Sequence, residues 1–130
     1  MLYLLITNKL KYMSTEFKKL NFKKTAWGTF NAARSFDNGL ILSVSCGKGI
    51  YSTPRENMDS EKDFSSFEIA IFHEDHSQFL TSILDNHEDD VIGWVCRDDI
   101  DDIIKLISNI SDKEVLDFIN NSEIFKAHKI

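Results

Sequence analysis

A chain of 130 residues with a formal net charge of −6 and a pI of about 5.1 fits one domain and argues against a general nucleic-acid binder. Hydrophobic residues at 42% and charged residues at 28%, with ten Phe, two Trp and three Tyr, exclude disorder over most of the length. No apolar run reaches the ~18 residues of a membrane-spanning helix, and no signal-peptide pattern opens the chain.

At the N-terminus, Met1-Leu2-Tyr3-Leu4-Leu5-Ile6 turns polar at Thr7-Asn8-Lys9, and Met13-Ser14-Thr15 has the form of an ordinary start. Residues 1–12 are either an appended leader or a strand or helical turn that packs on the domain. Residues 1–36 carry six Lys and one Arg against a single Glu. The expected division is a basic arm or leader over 1–24 and a single α+β domain over 25–130. Lys18, Lys19, Lys23 and Lys24 interleave with Phe17, Phe22 and Trp27, which suits phosphate contact and base stacking. An amphipathic first element with solvated lysines has the same pattern, and the acidic pI speaks against direct nucleic-acid binding.

Asp37-Asn38-Gly39 marks a hairpin. A two-residue Asn-Gly turn would mix polar and apolar residues on both faces. A three-residue loop with Gly39 in a left-handed bulge pairs Phe36 with Leu40. Phe30, Ala32 and Phe36 then share a face with Leu40, Leu42, Val44 and Cys46, and a one-residue slip would move that set to solvent. Arg34 is the misfit on this face and is expected to reach water at the sheet edge. Residues 47–65, with Gly47, Gly49 and Pro54, form a connection long enough to suggest function or mobility. Phe67, Ile69 and Ile71 alternate as a half-buried strand. His73-Glu74-Asp75-His76 turns it back into a second strand over 77–81, and Val91–Val95 reads as a short strand at the sheet centre.

Two helices follow. Ile100, Ile103, Ile104 and Ile107 recur at helical spacing, with Asp98 as the expected N-cap and Asp99, Asp101 and Asp102 facing the positive helix end. Ser111 and Glu114 form a capping box, and Ile110 with Val115 a hydrophobic staple. The predicted class is α+β, an antiparallel sheet built from hairpins and packed against C-terminal helices. Cys46 and Cys96 sit in apolar runs and have neither disulfide-framework nor zinc spacing, which suits a reducing, cytoplasmic setting.

Three chemistries compete. His73, His76 and His87 lie near acids, and with Asp89 they could hold a divalent ion, although H-x-x-H in a turn does not stack two rings as a helical pair would. The pairs Asp89-Asp90 and Asp98-Asp99 could do acid–base work, but no nucleophile accompanies them and helix capping accounts for the second pair. Gly47-Lys48-Gly49 lacks the frame of a phosphate loop. The third possibility is an acidic surface over 85–102, where Asp85, Glu88, Asp89, Asp90, Asp98, Asp99, Asp101 and Asp102 face only Arg97. Such a row can stand in for a phosphate backbone on a basic protein, while a solvated face has the same composition.

The run Gly39–Gly47, then Tyr51-Ser52-Thr53-Pro54-Arg55-Glu56, then Phe67–Phe72, then Asp89-Asp90-Val91-Ile92-Gly93-Trp94-Val95 resembles small uncharacterised proteins of bacteriophages and prophages. The resemblance covers roughly 25–107 and implies a small accessory protein made inside a bacterium, with no activity or catalytic residue to carry over. The resulting expectation is a non-enzymatic protein, without cofactor, that binds and inhibits a host complex handling nucleic acid or defence, a CRISPR-type complex included. Its contact residues would be Asp89, Asp90, Asp98, Asp99, Asp101, Asp102, Trp94, Tyr51, Arg55 and Glu56, with Trp94 or Tyr51 as aromatic anchor. It would work in the host cytoplasm, away from membranes. The alternatives are a metal-dependent hydrolase or nuclease using the His/Asp cluster, and a self-associating module, so a homo-oligomer stays open.

Overall fold

The structure, a computed structural model, describes residues 15–84 and 89–121, the side chains of His76 and Ser77 excepted. The strands are β1 (Lys23–Lys24), β2 (Phe30–Ser35), β3 (Leu40–Cys46), β4 (Phe67–His73), β5 (His76–Phe79) and β6 (Ile92–Val95). The helices are α1 (Arg97–Ser108) and α2 (Asp112–Asn121), and single 3-10 turns lie at Phe17–Lys19, Glu61–Asp63 and Thr81–Ile83. All six strands join one antiparallel sheet in the order β1-β2-β3-β4, with β5 and β6 sharing the far edge of β4. This is the expected α+β architecture. No helix among the described residues is long and apolar enough to cross a membrane.

The register of the first hairpin follows the hydrophobic pattern. Ser35 pairs with Ile41, Ala32 with Val44 and Phe30 with Cys46. Phe36 N–H donates to Leu40 O at 2.9 Å, and Gly39 takes φ +87°, a conformation open to glycine. Leu40, Leu42, Val44, Ile69 and Ile71 are thereby fully buried on one face. Ile100, Ile104 and Ile107 of α1 and Val115 and Ile119 of α2 belong to the same core cluster. Burial of each such side chain contributes roughly 1.5–3 kcal/mol. Cys46 ends the apolar row of β3, where burial, with some help from the charge of Glu61, pushes its thiol up to about 12.

Asn38, in the hairpin turn, reaches the helices. Its Nδ2 donates to Ile107 O and Ile110 O, both at 2.9 Å, and its Oδ1 accepts from Leu40 N–H at 3.1 Å. It thus satisfies Ile110 O, adds a donor to Ile107 O beside the Ile110 N–H at 3.2 Å, and ties the end of α1 to the sheet. The capping box of α2 is present, with Glu114 N–H on Ser111 Oγ at 3.1 Å and Ser111 N–H on Glu114 Oε1 at 3.3 Å.

Two expectations are corrected. The cap of α1 falls on Cys96, not Asp98: Cys96 is extended and its carbonyl takes the first helical bond from Ile100 N–H at 3.0 Å. The Trp94 strand is not central. It pairs only with β4 and forms a sheet edge, because β3 already occupies the other side of β4.

Of the basic segment, 15–24 is described, and it is packed. Phe17 is buried, Leu20 and Phe22 lie against the core, and Lys23–Lys24 pairs with β2. Glu16 bonds Arg34 at 2.7 Å and Lys19 at 3.3 Å. The Arg34 hydrogen bond is the main reason its carboxyl lies below the usual glutamate range. Arg34 also lies over the Phe36 ring, 5.2 Å from its centroid, so the charge on the apolar face is both paired and stacked.

Candidate protein-binding groove

Residues around β6 make the most distinctive surface. Phe67 pairs with Val95 and Ile69 with Ile92, so β6 carries one residue more than β4 between the two pairs. The extra residue is a β-bulge at Gly93-Trp94 opposite Glu68, a device that re-aims side chains. Trp94 takes φ +54° and remains 60% exposed. A bulky non-glycine residue in the left-handed region carries about 1–3 kcal/mol of strain. The surroundings hold it there. Trp94 N–H donates to Tyr51 O at 2.9 Å, and the two rings stack at 5.1 Å between centroids, inclined by 38°.

Tyr51 is held in turn. Its N–H donates to Glu68 Oε2 at 2.9 Å, and the Arg55 guanidinium lies 4.8 Å from its ring centroid. A Cβ at Gly93 would come within 2.6 Å of Tyr51 Cβ, so only glycine admits this approach. The connection 47–65 that carries Tyr51 is organised from within. Ser52, buried, donates to Pro54 O at 2.8 Å across the cis Thr53–Pro54 peptide and accepts from Gly47 N–H at 3.1 Å. Asn57 accepts from Lys48 N–H at 2.9 Å and donates to Trp27 O at 3.0 Å. Thr53 bridges to Ser66.

Tyr51, Trp94, Gly93, Ile92, Asp89 and Asp90 border an open groove of about 660 Å³. Asp89 and Asp90 are exposed at its end. The Thr81 hydroxyl donates to Asp90 O at 2.6 Å and accepts from Ile71 N–H at 3.0 Å, which ties the segment ahead of β6 to β4. Glu56 is exposed next to Arg55.

The other acids lie elsewhere. Asp98, Asp99 and Asp102 lie in the first two turns of α1, beyond β6, and do not line this groove. Asp101 is 2% exposed and is not a surface residue at all. Its carboxylate accepts from Phe17 N–H at 3.0 Å and from Glu16 N–H, and pairs with Lys105 at 2.8 Å. Burial pushes this carboxyl up, but Lys105 and the two N–H groups outweigh that and hold it below the usual aspartate value. Asp101 is therefore a structural clasp on the N-terminal turn. The i,i+4 spacing to Lys105 is a local signal, but nothing local shows that the carboxylate is buried, since its two backbone donors lie more than eighty positions away in sequence.

His73 and His76 are backbone partners in the register of the β4–β5 hairpin. His73 Nδ1 accepts from Asp75 N–H at 3.1 Å, and its ring lies over Gly39. His87 lies outside the described residues. Among the described residues no three His, Cys, Asp or Glu side chains are grouped to hold a metal. Set against known protein families, curated proteins and solved structures, the chain matches none.

Proposed function

We propose that the chain is a non-enzymatic binding module that grips a positively charged protein surface through the Tyr51–Arg55–Trp94 stack and the Asp89–Asp90 pair. The observation that carries this is Trp94, held at φ +54° with most of its ring in solvent. Folding alone gains little from a strained, exposed indole, and strain of this kind is typical of ligand clamps. Trp, Tyr and Arg are also the residues that dominate binding energy at protein interfaces. The two carboxylates at the groove end add sign selectivity and steer the encounter.

The finer proposal is that the bound protein belongs to a host machine handling nucleic acid or defence, which the chain inhibits as a phage accessory protein. It is supported by the sequence resemblance together with the acidic groove end. The footprint is smaller than the sequence pattern suggests. It comprises Tyr51, Arg55, Glu56, Asp89, Asp90 and Trp94, without Asp101. The test is capture of partners from bacterial lysate, followed by titration of the purified captured protein. Charge reversal at Asp89 and Asp90 should slow association and weaken binding, more so at low salt. Binding untouched by that reversal and by Trp94→Ala would refute the proposal.

A further inference from the structure

On the helix side of the molecule, Phe17, Phe22 and Phe67 form a triangle of rings with centroids 5.1–5.8 Å apart. Beside it opens a pocket of about 280 Å³ walled by Phe17, Leu20 and Phe22. Its rim carries Lys18, Lys62 and Arg97 against one carboxylate, Glu61. A cationic rim is notable on a chain whose formal net charge is −6. Arg97 is positioned rather than loose. Its guanidinium sits 5.5 Å from the Phe17 centroid and 5.3 Å from that of Phe67, and it donates to Lys62 O at 3.4 Å. That bond engages one of five N–H donors.

We propose that this pocket binds a small amphipathic monocarboxylate, its aryl or short acyl body against Phe17, Leu20 and Phe22 and its carboxylate on Arg97. Apolar walls with a few convergent polar groups are the usual form of a small-ligand site. An arginine fork matches a carboxylate, and Lys18 and Lys62 add positive charge without fixing geometry. A nucleotide fits less well. No amide or hydroxyl side chain lines the pocket, and Glu61 alone could accept from a base amino group. The site shares no lining residue with the Tyr51–Trp94 groove.

The test is an amide-resolved NMR titration of the full chain with 4-phenylbutyrate, 4-phenylbutan-1-ol and adenosine monophosphate. A site this small should bind the carboxylate with a dissociation constant of about 1 mM or somewhat tighter. Saturable shifts should centre on Phe17, Phe22 and Arg97, and the alcohol should bind about tenfold more weakly for want of the charge-assisted bond. The Lys18→Gln/Lys62→Gln double variant alters two exposed side chains, leaves the ring triangle intact, and should weaken the carboxylate about fivefold. The proposal is overturned by no saturable shift up to about 10 mM, by alcohol and carboxylate binding alike, by the nucleotide binding more tightly, or by shifts centred on Trp94.

Discussion

Replacing Asp101 by alanine should unfasten the N-terminal turn. The carboxylate is 2% exposed and serves three donors: two backbone N–H groups, at Glu16 and Phe17, and the Lys105 ammonium at 2.8 Å. Removing one member of a buried pair costs about 3–5 kcal/mol, because the other charge and its hydrogen-bond partners are left without compensation. The Lys105 stem is partly exposed but its ammonium nitrogen is buried, so water recovers little of that loss and about 3–5 kcal/mol is expected. Against a total stability of about 5–15 kcal/mol this is a large fraction. It corresponds to a fall of about 10–15 °C in Tm. Urea unfolding followed by circular dichroism gives the number, with Asp102→Ala, exposed on the same helix, as the control within about 0.5 kcal/mol of wild type.

The pH dependence has a definite sign. The folded carboxyl lies below the unfolded value of about 3.9, so the unfolded chain binds the extra proton. The contribution is complete above that value and is lost as pH falls through the lower, folded one. Asp101→Asn should therefore flatten the decline of stability in that acid window. A loss below about 1 kcal/mol for Asp101→Ala, or an unchanged acid slope for Asp101→Asn, would refute the clasp.

Trp94→Gly relieves the positive φ while losing the Tyr51 stack, so its stability should stay within about 1 kcal/mol of wild type. Trp94→Val, β-branched at the same φ, should lose about 2 kcal/mol; equal denaturation midpoints for the two would contradict the strain. Gly93→Ala drives a methyl group against Tyr51 Cβ and should cost about 1–3 kcal/mol in urea titrations while weakening partner binding. Asn38→Ala removes the Asn38 donor from Ile110 O and one of the donors to Ile107 O, and should cost about 1–2 kcal/mol, read as faster hydrogen exchange in the last turn of α1. With its thiol pushed up to about 12, Cys46 should resist a thiol reagent at neutral pH in the native state, while exposed Cys96 reacts; denaturant should make both reactive.

What was readable in the sequence was what depends on near neighbours. The β2–β3 register followed from alternation on a pleated surface, and the α2 cap from Ser111 and Glu114, three positions apart. The isoleucine stripe of α1 was legible for the same reason. The site was legible only in its parts list. Tyr51 and Trp94 could be named as anchors, but their stacking depends on a bulge that no residue type announces. Val91–Val95 looks central because a continuous apolar run suits a strand buried on both faces. The bulge instead turns Trp94 outward at an edge. Asp101 looked like its neighbours because its donors, apart from Lys105 four positions on, are backbone N–H groups from the opposite end of the chain. Glu68 and Asn57, which hold Tyr51 and the loop beneath Trp27, gave no sign of their roles, since polar residues on strands and loops are ordinary.

The central claim is that the Tyr51–Arg55–Trp94 groove is a partner surface, and the dissociation constant of the captured partner for wild type and Trp94→Ala tests it most directly. A central aromatic anchor is worth at least about 2 kcal/mol, so titration calorimetry should show about a thirtyfold loss or more for Trp94→Ala. Equal affinities for the two proteins, with the variant folded as wild type, would contradict it.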